Sequence, residues 1–216
     1  MLKGLKTTAA AAGLVAMALA TPVAHAAVGG DKSENNPGIV ALTDGSGNQV
    51  CTAVMVDSQW ALTFEGPMTC SGAVAGTADS HDPVSIDRQE FKSQNPEESQ
   101  AMLVHFAEPV QRVTPAKLST KAPEAGETLK IAAYNGEEGI NHLLSIGTSD
   151  IKVEGHNVWL SWYGAPESFS LETGKDSGAP IMRGNEVVGF TGLVTEKSAD
   201  AEDIANVYDW VQSTIH

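Results

Sequence analysis

The residue best equipped to do chemistry in this chain is Ser177, in the stretch Lys175-Asp176-Ser177-Gly178-Ala179-Pro180. A serine hydroxyl is a weak nucleophile near neutral pH and needs a base beside it to take its proton. Imidazole is the usual base, because its pKa lies near the working pH. Four candidates outside the chain ends are His81, His105, His142 and His156. Each stands alone, and a lone histidine is more often a surface or structural residue than a catalytic one. His81, in His81-Asp82-Pro83, lies in a polar loop able to fold across a cleft, and Glu65 is the carboxylate alternative. Asp-Ser-Gly is also a common turn, so Ser177 has a plain structural reading beside the chemical one.

Metal and cofactor chemistry finds little support. Cys51 and Cys70 form no C-x-x-C pair and have no histidine between them, which argues against a zinc or redox role. His81-Asp82 lacks a third ligand, and no glycine-rich phosphate loop follows a strand. The expectation is no metal and no cofactor.

The elements that must position Ser177 begin after a leader. Lys3 and Lys6 give a basic start, residues 7–20 form an apolar run too short to span a bilayer, and Ala24-His25-Ala26 is a small-x-small cleavage site. Residues 1–26 are therefore expected to be a removed signal peptide, leaving 27–216 as an exported, released protein. The chain carries 13 Lys and Arg against 27 Asp and Glu, a net charge of −14. Both leader lysines are lost on cleavage, so the processed chain is more acidic still. Nucleic acid and anionic membrane surfaces require clustered cations and are excluded as partners. Solubility outside the cell explains the acidity, and a basic protein or peptide partner remains open.

Short alternating segments separated by turn residues predict an all-β protein. Strands are expected at 39–43, 50–56, 84–91, 101–106, 129–134, 142–147, 158–163 and 186–192. Residues 114–128, with Pro115, Pro123 and Gly126, read as a linker. Across 71–99 and 136–157 the pattern sets no register. Ile204, Val207, Tyr208, Val211 and Ile215 share one helical face and predict a closing helix over 204–215.

Several landmarks, in order, resemble the trypsin/chymotrypsin family and together span nearly all of 27–216. Ala27-Val28-Gly29-Gly30 is similar to the I-V-G-G start of a mature enzyme, and Trp60-Ala61-Leu62-Thr63 to the W-V-L-T that leads into A-A-H-C. Glu108-Pro109-Val110 matches a strand ending in x-P-V, Lys175 to Pro180 resembles G-D-S-G-G-P, and Trp210 to Ile215 resembles W-I-x-x-T-I. The resemblance implies a double β-barrel with a C-terminal α-helix: a first barrel over 27–114, a second over 128–203 and the helix over 204–215. It implies a bridge between Cys51 and Cys70, which an even cysteine count in an exported protein also suggests. It further implies that the new α-amino group of Ala27 folds inward to pair with Asp176, since a buried carboxylate needs such a partner.

The same resemblance places Ser177 as nucleophile but leaves its helpers missing. No histidine occurs in 65–69; Thr69 precedes Cys70 where the family has its histidine, and Gln100 stands at the triad aspartate. Lys175 replaces the glycine whose N–H helps bind the oxyanion. Gly192-Leu193-Val194 stands for S-W-G, so Val194 crowds the specificity pocket, and Leu171 occupies a pocket floor that is acidic in trypsins. The expectation is an exported, bacterial-type pseudoprotease that binds a protein or peptide. The alternative is a serine endopeptidase or esterase using Ser177 with Glu65 or His81 as its base.

Overall fold

A computed structural model describes residues 31–33, 36–46, 48–65, 72–75, 83–95, 97–111, 113–136, 143–156, 160–163, 171, 174–194 and 199–216. Two barrels of antiparallel strands account for most of them. The first uses β2 (Ile39–Thr43), β3 (Gln49–Met55), β4 (Trp60–Phe64), β5 (Gly72–Ala75), β6 (Val84–Phe91) and β7 (Ala101–Phe106). These close in the order β2-β3-β4-β7-β6-β5, so no edge is left unpaired. β2 and β4 are buried along their whole length because both of their faces are covered. Inward residues such as Val40, Leu42, Ala53, Met55, Ala61, Met102 and Val104 fill the barrel.

The second barrel is built from β9 (Thr128–Gly136), β10 (Leu143–His156), β11 (Leu160–Tyr163), β12 (Pro180–Arg183), β13 (Glu186–Val194) and β14 (Ala199–Asp203). Its path β10-β11-β14-β13-β12-β9 closes through the β9–β10 pairing. Leu129, Ile131, Ile151, Val153, Ile181 and Val188 are among the residues of its core. A short strand, β8 (Lys117–Leu118), lies in the expected linker and pairs in parallel with β13. One placement differs from the sequence expectation. Strand β1 (Asp31–Ser33), inside the 27–114 stretch assigned to the first barrel, pairs with Ile146 to Thr148 of β10 and so joins the second sheet.

What holds the barrels together is an apolar seam made from the outer face of the first. Val54, Leu62, Phe64, Ala101 and Leu103 pack against Met182, Val187 and Phe190 of the second. The helix α1 (Ile204–Ile215) seals this seam with Ile204, Val207 and Val211, each buried. Full burial of such a side chain is worth about 1.5–3 kcal/mol. Asp203 caps the helix by accepting from the Ala205 N–H at 2.8 Å. Polar ties cross the seam as well, as where the Tyr134 hydroxyl donates to the Ile39 carbonyl at 2.8 Å.

The linker is fastened to the second barrel by Arg183. Its Nε and Nη2 donate to the two Glu127 carboxylate oxygens at 2.5 and 2.8 Å, and its Nη groups reach the Lys121 and Ala122 carbonyls at 3.1 and 3.2 Å. The guanidinium holds the Glu127 carboxyl down at about 2. Among the described residues no helix is long and apolar enough to cross a membrane.

Candidate functional site

Ser177 lies in the loop that feeds β12, and both barrels grip that loop by its backbone. From the first barrel, the Thr52 N–H donates to the Ser177 carbonyl at 2.9 Å. The Thr52 hydroxyl and the Gln49 amide donate to the Lys175 carbonyl at 2.8 and 3.2 Å. From the second, the Thr191 hydroxyl donates to the Asp176 carbonyl at 2.5 Å and accepts from the Ala179 N–H at 2.9 Å. The Gly178 N–H donates to the Thr191 carbonyl at 2.7 Å, and the Thr191 N–H to the Ala179 carbonyl at 2.9 Å. The loop is thus laced between strands β3 and β13.

Gly178 explains why this loop keeps its glycine. Its φ is +86°, and a Cβ there would lie 2.0 Å from the Thr52 carbonyl oxygen and 2.3 Å from the Thr63 hydroxyl. That hydroxyl donates to the same Thr52 carbonyl at 2.7 Å. A side chain at 178 would wedge the barrels apart.

Ser177 itself is 5 % exposed and Asp176 fully buried. Among the described residues, no side chain hydrogen-bonds the Ser177 hydroxyl. The expected partners of this pair fall elsewhere: Ala27, Thr69, Cys70 and His81 lie outside the described residues, so the inserted amine, the triad-histidine position and the Cys51–Cys70 bridge do too. Cys51 is buried in β3 among the first-barrel core.

His105, on β7, is described and serves another purpose. Its Nδ1 lies 2.6 Å from the Asp87 carboxylate, and its ring meets Trp60 edge-on at 4.7 Å between centroids. Arg88 covers the Trp60 ring at 4.7 Å. Five residues of strand separate His105 from Gln100, about 17 Å at the usual rise.

At the Gln100 position the structure supplies a carboxylate from a different strand. Glu202 of β14, 3 % exposed, accepts from the Ser99 hydroxyl at 2.5 Å and from the Gln100 N–H at 3.0 Å. The Gln100 carbonyl in turn accepts from the Glu65 N–H at 2.6 Å. Burial raises the Glu202 carboxyl above the ordinary carboxylate range, and the two hydrogen bonds oppose that rise in part. Sequence reasoning missed Glu202 because Ala201-Glu202-Asp203 reads as an acidic entry to the helix. Its partner sits about a hundred residues earlier, and no local pattern reveals such a pairing.

At Gly192 of β13 the space is filled. A Cβ on Gly192 would fall 2.7 Å from Phe64 Cε2 and 3.0 Å from the Asp200 carbonyl oxygen. The Phe64 ring therefore excludes a side chain at the position where the resemblance expects serine, and Phe64 itself stands where the family has a small alanine. Val194 ends β13. Leu171, expected at the floor of a specificity pocket, is 5 % exposed and packs into the second-barrel core with Leu129, Ile131 and Ile151. Lys175 is half-buried, its carbonyl held by Thr52 and Gln49. Among the described residues no group of three or more His, Cys, Asp or Glu side chains is arranged to hold a metal ion.

Comparison with known proteins agrees with this architecture. A family model described as Trypsin matches residues 27–214. Human heparin binding protein superimposes with a TM-score of 0.68 at 16 % identity, over 86 % of this chain and 95 % of its own. Neuropsin, a serine protease of mouse brain, gives 0.68 at 16 % identity over 83 % and 95 %. Kallikrein-related peptidase 10 gives 0.66 at 20 % identity over 83 % and 95 %. No curated protein matches the sequence. With the double barrel, its closing helix and a family match across nearly the whole of 27–216, the chain belongs to the trypsin family.

Proposed function

We propose that this protein is an exported trypsin-family member whose serine site is catalytically silent and whose surface binds a protein or peptide. The observation that carries this reading is the surroundings of Ser177. Its loop is anchored on both sides through Thr52 and Thr191, while the residues that would activate its hydroxyl are replaced: no histidine occurs in 65–69. The triad-acid position holds Gln100, and the Phe64 ring occupies the space next to Gly192. A base lost from a Ser-His-Asp triad lowers turnover on the order of a million-fold. A scaffold kept intact around a silent site is what selection for binding would leave.

Support for export comes from the order of basic start, apolar run and Ala24-His25-Ala26. Among the solved relatives, human heparin binding protein takes its name from a ligand, so the fold is compatible with a binding role. Its polyanionic ligand does not transfer to a chain of net charge −14.

The test is turnover of denatured casein and of p-nitrophenyl acetate by folded protein beside a Ser177→Ala control. The silent-site reading expects identical rates in both. Turnover that disappears in the control overturns it and favours an esterase or endopeptidase with Glu65 or His81 as base.

A further inference from the structure

A second site lies away from the serine loop, where three segments meet: the turn after β1, the inter-barrel linker, and the second-barrel strands β9 and β12. They enclose an open cavity of about 510 Å³. That volume is in the range of small-molecule pockets. Buried Ala132 and Met182 form its apolar floor, and Pro37 and Pro115 line its wall. Proline fixes its own φ, so these segments need little ordering on binding. None of the lining residues belongs to the serine loop or to the threonines that hold it.

Lys117 and Lys130 are the charged residues of its lining. Lys117 is paired with Glu186 and Lys130 with Asp150, the latter at 2.8 Å. Both lysines are largely solvent-exposed, and such pairs are weak and exchangeable. Each ammonium has three N–H donors, and its pair occupies one. Donors are therefore left for a ligand anion without breaking either pair. Asn36 is largely committed to its own turn: its Oδ1 accepts from the Gly38 and Ile39 N–H groups, and one of its two Nδ2 hydrogens goes to the Ile39 carbonyl, leaving a single N–H. In a chain with 13 cationic side chains against 27 acidic ones, a largely apolar lining that includes two lysines and no Asp or Glu favours a negatively charged ligand.

We infer that this cavity binds a carboxylate attached to an apolar group, and specifically the C-terminal residue of a peptide. The carboxylate lies between Lys117 and Lys130, and the last side chain rests on Ala132 and Met182. The site is independent of the serine site, so its failure would leave the proposed function standing.

The test is NMR titration of folded protein carrying labelled methionine methyls, with Met182 assigned through Met182→Leu. The ligand is N-acetyl-Ala-Ala-Leu with a free carboxylate, compared with the same peptide as its C-terminal amide. The inference expects a saturable shift of the Met182 methyl with the acid, and binding of the amide weaker by about tenfold or more, the scale of two exposed ion pairs. Lys117→Gln and Lys130→Gln should each weaken the acid by about fivefold with melting unchanged, because exposed ion pairs such as theirs add little to stability. Ser177→Ala should leave the titration as it was. Equal affinity for acid and amide, no saturable shift in the millimolar range, or loss of binding in Ser177→Ala would each overturn the inference.

Discussion

Replacing Glu202 with glutamine is expected to change the pH dependence of stability in one direction. The carboxyl is 3 % exposed and accepts from Ser99 and the Gln100 N–H, with Lys92 and Asp203 as the nearby charges. Its folded pKa is raised, chiefly by burial. A raised acid is stabilised by folding in its neutral form. That contribution is complete below the unfolded value near 4.5 and is lost as pH rises through the folded value. Above it, an ionised carboxylate is held in the seam between the barrels. Glutamine keeps the shape and stays neutral. Near pH 4 and below, the two proteins should therefore differ by no more than about 1 kcal/mol, the worth of one rearranged hydrogen bond. As pH rises, Glu202→Gln should gain on the native chain by about 1.4 kcal/mol for each pH unit between the unfolded and folded pKa values. In a domain of this size, 1 kcal/mol moves Tm by about 2–4 °C. Thermal melts of both proteins from acid to neutral pH, at constant salt, read this directly. Parallel Tm curves, or a variant that loses ground with rising pH, would refute the argument that a costly carboxylate is buried here.

Gly178→Ala should destabilise the protein by about 1–3 kcal/mol for the left-handed backbone alone, and by more once the 2.0 Å approach to the Thr52 oxygen is relieved by moving strands; chemical denaturation measures it. Gly192→Ser should be costly in the native background and less so with Phe64→Ala, because the ring occupies the space 2.7 Å from the new Cβ; a double-mutant cycle with no coupling would count against that packing. Arg183→Ala should cost about 1–2 kcal/mol at neutral pH, after allowance for the solvent around the pair. Because Glu127 is lowered from 4.5 to about 2, its contribution is present above the unfolded value and is lost as pH falls toward 2. The variant should therefore show a flatter acid limb in its melting curve.

Where burial followed local pattern, the sequence disclosed the strands. The expected 39–43, 84–91 and 101–106 coincide with β2, β6 and β7, and the apolar face through Ile204, Val207 and Val211 gave the helix. β5 was missed because Gly72-Ala73-Val74-Ala75 has small side chains and draws its identity from pairing with β2. β14 was missed because Ala199 to Asp203 is acidic and becomes a strand through its neighbours β11 and β13. β10 runs over Leu143–His156, well past the expected 142–147, since its long pairing with β9 carries polar residues along. At the site, Ser177, Gln100 and Gly192 were visible through short motifs. Glu202 and Phe64 were not, because their roles arise from contacts across the barrel seam rather than from spacing along the chain.

The proposed function leaves Ser177 without a base to activate it. Folded protein should be incubated with a fluorophosphonate serine probe and its intact mass read beside a Ser177→Ala control. Neither protein should carry an adduct. A stoichiometric adduct on the native chain, absent from the control, would contradict the proposed function and show that Ser177 is an activated nucleophile.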